Sequence, residues 1–360
     1  MTEINDESVL RSISVHEPGC AVLVRRSGRT VVARGHGLRS IDAAPLIDRD
    51  TNFRLASVSK QFTAMAVMLL VHDGRLSYDT KITDIFPEFP DYGRVVTVRH
   101  LLTHTSGVPD YEELMDAGAP QYTAVHQITD DAVLTLLEQE PEPRYAAGTQ
   151  WAYSNSGYVL LGLIVGRVSG QSFAEFLAKR VFAPLGMRHT LVYRPGRDVI
   201  PERAYGHDRG AAGYVVSDHS ATSATQGDGG IYSNVADLAR WDDALERNRL
   251  LPASAMRAAY EPARLSDGRQ TRWPTTLDED NLAPGKPVSY GYGWFLDPYA
   301  GHTRQWHFGT TEGFRTAIMR FPQDRLTVAV LCNRMDLDAR ALARGLAVTQ
   351  LDSGHGDQSP

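Results

Sequence analysis

Apolar positions follow one period near the two ends of the chain and another between them. Residues 20–26 and 30–34 are β-rich runs flanking Ser27-Gly28-Arg29, which predicts a hairpin. From Phe62 the pattern turns helical, with Met65, Ala66, Met68, Leu69 and Leu70 leaving little polar surface before Asp73-Gly74, a suitable C-terminal cap. Residues 79–90 read as a short helix interrupted by prolines, and residues 97–102 as a capped helix running into a turn at Gly107. Helical periodicity returns over 129–140, 158–168, 173–182 and 235–245, the last opened by Ser233 and Asn234 as caps. Residues 264–288 are polar and read as a long loop. The period then changes back, with β-type runs at 290–296, 316–321 and 326–331, a terminal helix at 338–351 and a polar tail over 352–360 that reads as disordered.

The order is strands, many helices, strands, helix. Short turns between consecutive strands imply antiparallel pairing. The simplest arrangement is an α+β fold whose antiparallel sheet is built from both chain ends, residues 10–55 and 285–351. A mainly helical region, residues 56–284, is inserted between them. No internal repeat or low-complexity segment interrupts this reading.

Composition narrows the function classes. A net charge of −6 gives no basic footprint, so nucleic acid is excluded as a partner. No apolar run approaches the roughly 20 residues that span a bilayer. The acidic, polar first residues resemble no secretory leader, and the expectation is a cytoplasmic protein. Cys20 and Cys332 fit that compartment as buried thiols, although neighbouring strands can bring them together.

Candidate chemistry begins at Ser57-Val58-Ser59-Lys60. A serine and a lysine three residues apart share one helix face about one turn apart. A serine hydroxyl needs a neighbour to take its proton, and a desolvated lysine can do so. Chance alone produces Ser-x-x-Lys about once in a chain of this length. Here, however, the lysines are Lys60, Lys81, Lys179 and Lys286, and arginine supplies almost all other positive charge. The second candidate is Tyr153-Ser154-Asn155. A tyrosine beside a lysine can share its proton and serve as general base and acid. Asn155 can donate to a substrate carbonyl while accepting from Lys60. The same tripeptide recurs as Tyr232-Ser233-Asn234, where helix capping explains it, so context alone separates the copies. The third candidate is His307-Phe308-Gly309-Thr310, where glycine permits close backbone approach, the Thr310 N–H can join that of Ser57 in an oxyanion hole, and His307 can orient a substrate. His100 and His104 have the i, i+4 spacing of a metal pair but lack a glutamate and a third ligand, so they read as buried, hydrogen-bonded histidines and no metal is expected.

These three motifs occur in the order of the signature motifs of the penicillin-recognising serine hydrolases. The chain resembles the class C β-lactamase and D,D-peptidase branch, which also contains esterases and D-aminopeptidases. Residues 100–107 and 229–233 resemble further landmarks, and the similarity spans residues 20–346. The resemblance implies Ser57 as acylated nucleophile, Lys60 as its proton partner, Tyr153 as general acid/base and Asn155 at the acyl group. It implies an antiparallel sheet flanked by helices beside an all-helical region, the site in the cleft between them, and no cofactor. The third motif departs from the family's Lys-Thr-Gly: His307 is largely neutral near pH 7 and Phe308 cannot donate, so the carboxylate anchor is weakened unless Arg315 replaces it. That favours an esterase or peptidase acting on a small ester, amide or peptide, with at most weak β-lactamase activity. An acyl-transferring peptide-tailoring enzyme and a binding homologue that does not turn over stay open, as does the oligomeric state. Glu312 and Asp228 are candidates for attracting a substrate amine.

Overall fold

The computed structural model describes residues 10, 13–42, 45–118, 122–272 and 288–352. The predicted hairpin forms from β1 (Cys20–Arg26) and β2 (Arg29–His36). Ser27 and Gly28 both take positive φ, as a two-residue turn matched to strand twist requires. Short strands follow at β3 (Phe53–Arg54), β4 (Leu191–Val192), β5 (His207–Gly210), β6 (Gly213–Val216) and β7 (Ile231–Ser233). The C-terminal part supplies β8 (Ser289–Tyr290), β9 (Phe295–Tyr299), β10 (His302–Thr311), β11 (Phe314–Phe321) and β12 (Leu326–Cys332).

The main sheet has seven strands in the order β2-β1-β12-β11-β10-β9-β8, every pair antiparallel. It therefore joins the two chain ends, with β1 paired along its length to β12. β1, β11 and β12 are buried almost throughout, so they read as continuous apolar runs rather than alternating ones. Ion pairs tie the sheet to a flanking helix: Arg25 lies 3.1 Å from Asp242, Arg320 Nε donates to Asp242 at 2.9 Å, and Thr327 Oγ1 donates to the same carboxylate at 2.7 Å.

The helices between the two sheet halves are α1 (Lys60–His72), α2 (Val98–Leu102), α3 (Tyr111–Asp116), α4 (Asp130–Glu138), α5 (Asn155–Ser169), α6 (Phe173–Leu177), α7 (Val235–Glu246) and α8 (Ala253–Tyr260); α9 (Ala339–Asp352) closes the described chain. A small sheet, β3-β7-β4, sits among them and fixes the strand leading into α1. No single helix among the described residues is long and apolar enough to cross a membrane.

Several local expectations change. Residues 79–90 hold only a 3-10 turn at Ile82–Asp84, because the prolines leave no run long enough for a helix. The run at 290–296 splits into β8 and β9, with Tyr290 paired to Phe295 across a turn. Gly293 makes that turn at φ +78°, where a Cβ would lie 2.8 Å from the Lys60 carbonyl oxygen. The third motif lies at the end of β10, just before the turn into β11. Cys20 and Cys332 are not free thiols but a disulfide with Sγ–Sγ 2.06 Å, brought opposite each other by the β1–β12 register. That removes the thiol part of the argument for a cytoplasmic location, since disulfides persist chiefly in oxidising compartments. The expected tail beyond Asp352 and the middle of the expected loop, 273–287, lie outside the described residues.

Candidate active site

Strand β3 delivers the chain to Ala56, which takes φ +48°. A left-handed conformation costs an L-residue about 1–2 kcal/mol. It turns the chain abruptly from strand into the 3-10 turn Ala56–Ser59, which continues as α1. Ser57 thus sits at the mouth of a helix, partly exposed, while Val58, Ser59 and Lys60 are buried. Gly309 of β10 lies against this turn: a Cβ there would fall 2.2 Å from the Leu55 carbonyl oxygen and 3.0 Å from Ala56 Cβ. Thr316 Oγ1, opposite Gly309 on β11, donates to the same Leu55 oxygen at 2.7 Å. Only glycine lets β10 approach so closely, and this approach brings Thr310 beside the Ser57 turn.

The predicted polar groups converge. Lys60 Nζ donates to Ser57 Oγ at 3.1 Å, to Asn155 Oδ1 at 2.8 Å and to the Asp228 carbonyl oxygen at 2.8 Å. The Tyr153 side chain hydrogen-bonds Ser57, and Lys60 Nζ lies 4.9 Å from the Tyr153 ring centroid. Burial pushes the Lys60 ammonium down to about 8, with Asp228, Glu112 and Asp110 opposing the shift. At pH 7 about a tenth of such a lysine is neutral and able to accept a proton. The Tyr153 phenol moves the other way, held well above its ordinary value by desolvation. Desolvation thus opposes loss of the Tyr153 proton while it favours the neutral form of Lys60.

His307 is fully buried, its Nε2 2.9 Å from Tyr290 Oη and its Nδ1 2.7 Å from the Phe308 carbonyl oxygen. A carbonyl only accepts, so Nδ1 carries the proton. Desolvation, with Lys60 nearby, pushes this imidazole down to about 3. The third motif therefore places a neutral ring where a cation would attract a carboxylate. Arg315 does not fill that role in this arrangement: its Nη1 donates to the carbonyls of Thr311 and Phe314, closing the β10–β11 turn. Glu312 accepts from Ser217 Oγ at the same turn. His104 is buried with its ring 4.4 Å from that of Tyr153, and its Nδ1 accepts from the Ser154 N–H at 3.1 Å. His100 is elsewhere, its Nδ1 accepting from the Thr97 N–H at the start of α2.

Sequence reasoning missed Asp110 and Glu112. Asp110 Oδ2 accepts from the Asn155 N–H at 2.7 Å, and the Glu112 side chain bonds Asn155. Tyr111, between them, donates from its hydroxyl to Asp228 Oδ2 at 3.0 Å. Although the residue is exposed, desolvation around its carboxyl, then Asp110 and Asp228, raise Glu112 to about 7. Asp110 is also the N-cap of α3, accepting from the Glu112 N–H. The acidic run after Pro109 thus looks like ordinary capping chemistry, which hid its second use. Together these groups can activate a serine and hold Asn155, with Glu112 adding negative charge above about pH 7.

The chain is similar to known proteins over nearly its whole length. The family model described as Beta-lactamase matches residues 9–351. The chain is 32% identical over 337 residues to penicillin-binding protein 4* of Bacillus subtilis, covering 89% of this chain and 69% of that one. The octameric penicillin-binding protein homologue from Pyrococcus abyssi superposes with a TM-score of 0.77 at 26% identity, covering 94% of this chain and 74% of that one. D-amino acid amidase from Ochrobactrum anthropi SV3 shares the fold, with a TM-score of 0.77 at 24% identity over 98% of this chain and 97% of that one.

Proposed function

The chain belongs to the beta-lactamase family and is a serine hydrolase, and from that premise we propose that it cleaves small amides, peptides or esters whose acyl part carries a free amine, through an acyl-enzyme on Ser57. The observation that carries this reading is Lys60 Nζ at 3.1 Å from Ser57 Oγ with its ammonium lowered to about 8. Neutral Lys60 takes the hydroxyl proton as Oγ attacks the carbonyl carbon. The oxyanion that forms is stabilised by the N–H groups of Ser57 and Thr310. Tyr153 gives its proton to the leaving nitrogen or oxygen and regains one from Lys60, so the carbon–leaving-group bond breaks without releasing a strong base. Water then enters, passes a proton back through the same pair, and frees Ser57 and the acid.

The preference for an amine rests on charge. The Glu112 side chain bonds Asn155, and the Glu112 and Asp228 carboxyls act electrostatically on Lys60, so a negative field faces the site above about pH 7, whereas His307 is neutral and buried and Phe308 replaces a donor. This favours a cationic substrate group over the carboxylate that a β-lactam presents, and it makes β-lactam hydrolysis weak.

Intact mass after a fluorophosphonate probe tests the nucleophile. Wild type gains one adduct and Ser57→Ala none; an unlabelled wild type, or a labelled Ser57→Ala, sinks the assignment. Turnover of D-alanyl anilide, its N-acetylated form, a nitrophenyl ester and a chromogenic cephalosporin then tests the substrate class. The free amine should lead, and Glu112→Gln should remove its advantage over the acetylated form. A cephalosporin turned over best would overturn the amine reading while leaving Ser57 in place.

A further inference from the structure

Behind the Ser57 turn lies a group of side chains the hydrolytic chemistry does not use. Arg54, three residues before Ser57, is 3% exposed. Its Nη2 donates to the Ser223 carbonyl oxygen at 3.0 Å, but Nε and Nη1 are buried without a partner. Among the described residues no carboxylate reaches it within 4.0 Å. Buried charges are ordinarily paired, because an unpaired one costs several kcal/mol.

The neighbours repeat the pattern. Tyr232 stands directly opposite Arg54 in the β3–β7 pairing, so the two side chains lie side by side on one face. Its hydroxyl is buried and unpartnered. The Arg203 guanidinium lies 5.6 Å over the Tyr232 ring and pairs with Asp218, yet its Nε is unpartnered. His219 Nε2 lies 3.2 Å from Arg203 Nη2 and 3.3 Å from Asp218 Oδ2, and its Nδ1 is buried without a partner. Burial keeps that ring neutral by pushing the imidazole down. The same burial holds the Tyr232 phenol up at about 12, so it keeps its proton.

The unmet Nε and Nη1 of Arg54 and Nε of Arg203 are donors, the Tyr232 hydroxyl can donate, and the charge of the cluster is one-sided. Two guanidiniums face one carboxylate, Asp218, which is already held by Arg203 and by the Gly206 N–H at 2.6 Å. A monovalent acceptor fits both the charge and the geometry. We propose that Arg54, Arg203, Tyr232 and His219 form a binding site for one small monovalent anion of the halide class, set beneath the catalytic turn. The site would brace both walls of the active site. Leu55 is bonded to β7 through the Ile231 carbonyl oxygen at 2.8 Å, and the Tyr232 ring meets Phe314, at the end of the β10–β11 turn, edge-on at 6.3 Å.

Crystals of the full chain grown in bromide, with anomalous data, locate the ion directly. Melting curves in sodium chloride and sodium gluconate at equal ionic strength read its effect in solution. We expect a bromide peak in contact with Arg54 and Tyr232, and a melting temperature that rises with chloride along a saturating curve, as ligand linkage requires. Arg54→Met should abolish the chloride dependence. If that variant does not fold, Tyr232→Phe should raise the half-saturating chloride concentration about tenfold, the loss of one hydrogen bond to an ion. A water molecule in place of the peak overturns the proposal. So does a peak with identical melting in both salts (an adventitious ion only), or an unchanged half-saturation in Tyr232→Phe.

Discussion

The chain writes Tyr-Ser-Asn twice and uses it in two ways. Both copies open a helix, α5 after the first and α7 after the second. In the first, Ser154 is the cap, its Oγ accepting from the Gly157 N–H at 3.2 Å. Asn155 is then the first helical residue, and its side chain is free to accept from Lys60. In the second, the helix begins one residue later. Asn234 is the cap, its Oδ1 accepting from the Asp237 N–H at 2.8 Å while its Nδ2 donates to Asn52 at 3.1 Å. Tyr153 reaches Ser57, whereas Tyr232 lies beside a buried arginine. A one-residue shift in the helix start therefore decides whether the asparagine serves the backbone or a lysine. Identical local chemistry has no fixed role until its position in the fold is given.

The largest expected break in this comparison is Tyr153→Phe. Loss of a positioned proton donor should lower kcat/KM by about 10²–10⁴. The melting temperature should stay within a few degrees, because the ring and its contact with His104 remain. A loss below about tenfold would remove Tyr153 from proton transfer. The wild-type pH profile is a smaller test. If neutral Lys60 is the base, kcat/KM rises about tenfold per pH unit below its lowered pKa and levels above about 8. The sign follows from the active form being the deprotonated one. A flat profile between pH 6 and 9 would mean that the lysine acts only as a cation. The finest test pairs Asn155→Ala with Asn234→Ala. The first should lower kcat/KM by about 10- to 100-fold, the worth of a hydrogen bond to a charged group. The second should lower unfolding stability by about 1–2 kcal/mol, as loss of an N-cap does, without changing kcat of the folded enzyme. Matching phenotypes in the two variants would erase the distinction between the copies.

Much of the fold was legible because it rests on short-range rules. The Ser27-Gly28 hairpin, the Gly74 stop after α1 and the capped helices were all read from neighbouring residues. The failures have specific causes. Tyr290 to Leu296 is β-rich, but its run is broken by the close pass of Gly293 over α1, which no local pattern reveals. Residues 79–90 had helical composition without the uninterrupted length a helix needs. In the site, Ser57, Lys60, Tyr153 and Asn155 were legible through spacing and chemistry. Asp110 and Glu112 were not, because a carboxylate at the start of a helix already has a sufficient local explanation.

The sequence by itself determined which residues can do chemistry and which lie one helical turn apart. A lysine three places after a serine must share its face, whatever surrounds it. It also determined the antiparallel ends, since short turns between consecutive strands admit little else. Only the tertiary structure decided what those residues are worth. The ammonium of Lys60 drops because it is buried beside Asn155, 95 residues away, and the Asp228 carbonyl, 168 away. The two cysteines, 312 residues apart, meet because β1 and β12 pair. The unmet donors around Arg54 exist because the β3–β7 pairing buries its side chain beside Tyr232, where no carboxylate among the described residues pairs with it. Burial and long-range pairing set charge, reactivity and partner, and neither can be read from a residue's neighbours along the chain.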